Sequence, residues 1–195
     1  MLLDKRKVSY FTKIGAVIVA LAFIVTFIPY IDLIPGSSGV DQQLQPAQQI
    51  ASLEKAVQAN PKDAQAWVRL GDAYRDLDLA PDRVVECYKK ALEINPKMVN
   101  VRVDLADSYF KLGQIETATA EAKKAIEANS GYALAYYSLG TFLNAQGKIA
   151  EAIKAYENYI KLAPNGSKVS EVKARLGVLK KESNSLTTNN TDTGK

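Results

Sequence analysis

The sequence predicts an all-α chain, a solenoid of helix-turn-helix repeats preceded by one N-terminal transmembrane helix. Three observations carry this reading. Eighteen residues from Ile14 to Ile31 contain no charge. Proline recurs at Pro61, Pro96 and Pro164, at separations of 35 and 68 residues. These are one and two steps of a period of about 34, which marks a repeat architecture. Between the prolines, apolar and alanine residues return at helical spacing.

The uncharged span comes first. At about 1.5 Å per residue it makes a helix of roughly 27 Å, close to the hydrocarbon thickness of a bilayer. Tyr10 and Phe11 stand on one side and Tyr30 on the other, where amphipathic rings favour the headgroup layer. Lys5, Arg6, Lys7 and Lys13 precede the span, against Asp4 alone, while Asp32 and Asp41 follow it. The positive-inside rule then keeps residues 1–13 in the cytoplasm as a basic tail. Residues 14–34 cross the membrane, and the rest lies on its outer face. A cleaved secretory signal is the competing reading, with cleavage after Ser38 and Gly36 at the −3 position. Residues 35–45 have Gly and Ser followed by Gln, with no apolar period, and read as a flexible linker.

Composition narrows the chemistry. The 195 residues include no His and one Cys. That removes Ser-His-Asp and Cys-His nucleophile pairs, His-ligated zinc, an internal disulfide and a CxxC redox pair. The 25 basic and 21 acidic residues leave only +4, and residues 46–164 balance at 15 of each. Nucleic acid is therefore not an expected partner. No metal, cofactor or catalytic residue is expected, and the chain reads as a non-enzyme. Asp104 and Asp107, at i and i+3 beside Asp72, read as surface acids rather than a metal or acid–base pair. Cys87 reads as a small half-buried apolar residue.

From residue 64 the units can be aligned. Unit one has Trp67-x2-Leu70-Gly71-x2-Tyr74, then Tyr88, Ala91 and Pro96. Unit two has Leu105, Ala106, Tyr109, Gly113, Ala118 and Ala125. Unit three has Tyr136, Leu139, Gly140, Leu143, Gly147, Ala152, Tyr156 and Pro164. The pattern resembles the tetratricopeptide repeat. Eight diagnostic positions per unit give 19 matches of 24, enough to hold the register through the weak middle unit. Arg102 stands there in place of Trp67, Ala122 in place of the aromatic and Ser130 in place of proline. Val84 and Tyr159 are larger than usual for their positions. Unit one carries an extra residue in its DLDLAPD turn.

The resemblance implies a right-handed superhelix of paired helices. The repeat domain spans 46–182: a half-repeat at 46–63, repeats at 64–98, 99–132 and 133–166, and a capping helix at 168–182. Val169, Val172, Leu176 and Leu179 form that helix's apolar stripe, and Lys173, Lys180 and Lys181 its outer face. Residues 183–195 are nearly devoid of apolar residues and read as a disordered tail.

In the tetratricopeptide family the first helix of each unit lines a concave groove. By position this implies partner contacts from Gln65, Val68, Arg69, Asp72, Arg75 and Asp76 in unit one. Unit two supplies Asn100, Val103, Asp104, Asp107, Phe110 and Lys111. Unit three supplies Leu134, Tyr137, Ser138, Thr141 and Asn144. Val68, Val103, Phe110, Leu134 and Tyr137 would make an apolar floor, and the four aspartates an acidic patch. Such a groove suits an extended peptide or helix with apolar anchors and some basic residues. The positions that clamp a chaperone's terminal carboxylate are basic or Asn in the family. Here they are Val68, Asp72, Leu134 and Ser138, so that ligand is not expected. The expected function is a membrane-anchored scaffold for a protein or peptide partner in the cell envelope. The alternative is an assembly factor resembling the repeat subunits of cytochrome c maturation or envelope-secretion machinery.

Overall fold

The computed structural model describes the backbone of residues 38–192 and the side chains of residues 46–185. The basic tail 1–13 and the expected span 14–34 lie outside the described residues. Among those described, no helix is long and apolar enough to cross a membrane. The chain divides into two units, residues 1–48 and 49–195, and the repeats lie in the second.

The described residues form eight helices and no strand. They are α1 (Ser38–Ala59), α2 (Ala64–Asp76), α3 (Pro81–Ile94), α4 (Val99–Lys111), α5 (Ile115–Ala128), α6 (Ala133–Ala145), α7 (Ile149–Leu162) and α8 (Val169–Asp192). Two ends differ from the sequence expectation. The tether placed at 35–45 is helical from Ser38, with Pro46 inside the helix. Gln and Leu are good helix formers without any apolar period, and the linker reading weighed only the missing period. Likewise α8 continues to Asp192, through most of the tail read as disordered.

Short chain signals set the helix ends. Asp63 caps α2, its Oδ1 accepting from the N–H groups of Gln65 and Ala66 at 2.9 and 3.1 Å. Pro81 opens α3, where its missing N–H costs nothing. Gly113 and Gly147 take φ of +74° and +72° after α4 and α6. Their N–H groups return to the carbonyls of Phe110 and Asn144 at 2.9 Å each. In the first repeat the same slot is filled by Asp78, whose N–H reaches the Arg75 carbonyl at 3.0 Å with φ of 50°. The extra residue of that turn, Ala80, is also left-handed, at φ 44°.

Each helix pairs with its neighbour (α2 with α3, α4 with α5, α6 with α7), and each pair stacks on the next. α4 also touches α6 directly, as helices on the inner side of a curved stack do. The core of the first repeat gathers Leu70, Tyr74, Val84, Cys87, Tyr88, Ala91 and Leu105, with Trp67 packed against it. The last gathers Leu143, Ala152, Tyr156, Tyr159, Val172, Leu176 and Leu179, which joins α8 to α7. The stripe assigned to the capping helix is thus the face it buries.

The weak middle repeat is repaired by its neighbours. Ala106 and Ala122 leave room where repeats one and three have a glycine facing a tyrosine. Phe142 from α6 fills it, packing with Ala106, Ala118 and Ala122. Its ring lies 4.9 Å from that of Phe110. Arg102 replaces an aromatic and keeps that residue's polar contact. Its Nη2 donates to the Pro96 carbonyl at 3.2 Å, as Trp67 Nε1 donates to the Pro61 carbonyl at 3.0 Å. Its charge is met by Glu121 at 3.0 Å, which Lys124 also holds at 2.8 Å.

Candidate functional site

The inner face is built by α2, α4 and α6, and Arg75 is its most connected residue. The Arg75 Nη1 lies 2.9 Å from Asp72 Oδ1 and 3.5 Å from Asp104 Oδ1, and Nε lies 3.3 Å from Asp76 Oδ1. Nη1 also donates to the Tyr88 hydroxyl at 2.6 Å, and that hydroxyl donates to Asp72 Oδ1 at 2.7 Å. The guanidinium stacks 6.0 Å from the Tyr88 ring centre. One cation therefore bridges the first helix of repeat one to the first helix of repeat two.

The aspartates around it have more negative charge than Arg75 neutralises. Burial pushes the Asp104 carboxyl up to about 6, with Asp72 and Asp107 adding to the rise and Arg75 opposing it. Asp107 is also raised, first by desolvation, with the Ser138 hydroxyl, Lys111 and Arg75 pulling the other way. The Tyr132 hydroxyl is raised, first by burial and then by the charges of Asp104 and Asp107. Among the described residues no three His, Cys, Asp or Glu side chains gather as a metal site.

The far end of the groove is organised by α8. The Tyr137 hydroxyl donates to Glu171 Oε1 at 2.8 Å, and Lys168 Nζ lies 5.6 Å above the Tyr137 ring. Burial and Glu171 push the Tyr137 hydroxyl up to about 12. Arg175 Nη2 holds the same Glu171 at 2.8 Å. Beside it an open cleft is lined by Asn144, Ala174, Arg175, Val178 and Leu179.

The implied contact residues separate into three groups. Asp72, Arg75, Asp76, Asp104 and Asp107 come together, with Lys111 close enough to Asp107 to act on its charge. Tyr137, Thr141 and Asn144 line the α8 end and stay partly exposed, as does Phe110, while Gln65, Arg69, Asn100 and Leu134 are exposed. Arg69 reaches Asp63 at 3.8 Å rather than the acidic group. Val68, Val103 and Ser138 are buried between helices. The apolar floor is therefore smaller than the pattern implied, because two of its valines belong to the core. Sequence reasoning missed Tyr88, Tyr156, Lys168, Glu171 and Arg175. The first two were read as positions of the repeat pattern, and the last three only as part of the capping helix. A hydroxyl opposite a glycine was the available signal for the tyrosines.

A family model for the tetratricopeptide repeat matches residues 42–98 and 103–167. The chain belongs to the tetratricopeptide repeat family. It is a scaffold of the kind that mediates protein–protein interaction, in a family whose members are typically not enzymes. Solved structures agree on the fold. The crystal structure of MamA superposes with a TM-score of 0.67 at 24% identity, covering 77% of this chain and 85% of that one. The first repeat domain of Spaghetti (RPAP3), bound to the HSP90 peptide SRMEEVD, gives 0.57 at 26% identity, covering 61% and 94%. The NMR structure of the first such domain of human RPAP3 gives 0.58 at 26%, covering 65% and 96%. No curated protein matches the chain.

Proposed function

We infer that this chain is a single-pass membrane scaffold whose repeats stand on the outer face of the cytoplasmic membrane. Its concave groove takes a peptide or helix from a protein partner in the cell envelope, and it performs no catalysis of its own. The observation that carries the groove reading is the cluster of Asp72, Asp76 and Asp104, which share one arginine on the inner face, with Asp107 close enough to act on Asp104. Such a surface favours a partner with basic residues. An acidic tail such as the peptide bound by RPAP3 would meet these carboxylates, and like charge opposes it. The anchoring rests on the uncharged residues 14–31 and the basic residues before them. The narrower reading is an assembly factor resembling the repeat subunits of cytochrome c maturation or envelope secretion.

Two measurements test this. A topology reporter fused after Lys195 is active only outside the cytoplasm; activity inside removes the placement. Partners co-purifying from solubilised membranes are lost from an Asp104→Lys, Asp107→Lys variant that keeps wild-type helix content. Undiminished co-purification removes the groove.

A further inference from the structure

Two wholly buried tyrosines reach the groove from behind. Tyr88 on α3 and Tyr156 on α7 have no exposed surface, and each ring crosses a glycine of the facing helix. A Cβ on Gly71 would sit 2.8 Å from the Tyr88 ring, and one on Gly140 would sit 2.7 Å from the Tyr156 ring. Through the first opening the Tyr88 hydroxyl binds Asp72 and Arg75. Through the second the Tyr156 hydroxyl lies 3.1 Å from Thr141 Oγ1. Asp72 and Thr141 hold the same repeat position, directly after the glycine. Repeat two, with Ala106 and Ala122, has no such hydroxyl.

Phenylalanine would fill the same core volume. A buried hydroxyl is costly unless bonded, and both of these bond to groove residues. We propose that Tyr88 is a positioning residue, acting through Arg75 to fix the charge pattern of the groove before a partner arrives, with Tyr156 as its counterpart at Thr141. The proposal rests on the concave face being the recognition surface for a basic partner and adds how that surface is held before binding. Arg75, locked over Asp72 and Asp104, is an internal counter-ion that an incoming lysine or arginine must displace.

The test is a double-mutant cycle on the full chain in detergent, with a tetralysine peptide as probe. Tyr88→Phe keeps the ring and should keep the fold, with a melting temperature lowered by the two lost hydrogen bonds. In the wild type the Arg75 guanidinium should rotate slowly, giving separate Nη signals by NMR. In Tyr88→Phe these signals should merge. Tetralysine should bind about fivefold tighter to Tyr88→Phe, since a charge-assisted hydrogen bond no longer holds the competitor. That gain should vanish in the Arg75→Gln background. An Arg75 side chain equally mobile in both proteins overturns the proposal, as does a gain that persists without Arg75. If tetralysine binding ignores Asp104→Lys, the groove reading fails, while the Arg75 signals still decide the role of Tyr88.

Discussion

Gly140 owes its identity to a ring, not to its backbone. The ideal Cβ position lies 2.7, 2.8 and 3.0 Å from three Tyr156 ring carbons, and a buried ring has no free end to move. Gly140→Ala should therefore lower stability by about 1–3 kcal/mol, although alanine is the better helix former. Thermal or denaturant unfolding measures this, and a stabilised variant would show that the ring is not held there. Asp104 gives a pH-dependent counterpart. Its folded pKa stands at about 6 against an ordinary 3.8, so the folded state holds the proton more tightly. The cost of its charge is fully present above about pH 6. It falls away as pH drops toward 3.8. Asp104→Asn should thus stabilise the fold at pH 7.5, by about 1 kcal/mol after allowing for solvent screening, and by less at pH 5. A gain that is constant across that range would contradict the assignment. The small residue at Gly140 and the large one at Tyr156 were legible as a close approach of paired helices, but the shift of Asp104 was not. Four aspartates on successive helix faces predict an acidic patch, but the crowding that raises Asp104 depends on how closely α2 and α4 approach.

The repeating element was legible because small and large residues alternate at fixed offsets from each proline. What the sequence hid was compensation between neighbouring elements. Unit two departs from the pattern at Arg102 and Ala122, and both departures are answered from outside those positions. Glu121 and the Pro96 carbonyl receive Arg102, and Phe142 from the following repeat fills the space left by Ala122. Restoring the family's aromatic should accordingly do harm. Ala122→Phe should cost about 1–3 kcal/mol through overpacking against Phe142. Phe142→Ala should cost about 3–5 kcal/mol, and the double variant should recover part of the loss. Unfolding curves of the three proteins check this, and additive losses would mean that the two sites do not share a space. The first turn hid its character differently. Its extra residue was visible, but the two non-glycine residues at positive φ, Asp78 and Ala80, were not.

At the scale of the whole molecule, the repeat unit is a stack whose inner face is tied by polar contacts at its joints. Arg75 joins α2 to α4, and Tyr137 with Glu171 joins α6 to α8. The capping helix therefore belongs to the groove as well as to the core. Sequence reading missed this because it took α8 as a cap, with an apolar stripe inward and a lysine face in solvent. The central claim is that this inner face receives the partner. Its most direct test is site-specific photocrosslinking in native membranes, with a photoreactive residue at Phe110 or Thr141 on the inner face and at Lys89 on the outer one. One dominant adduct is expected from the two inner positions and none from Lys89. Adducts from Lys89 alone, or equally from all three positions, would contradict it.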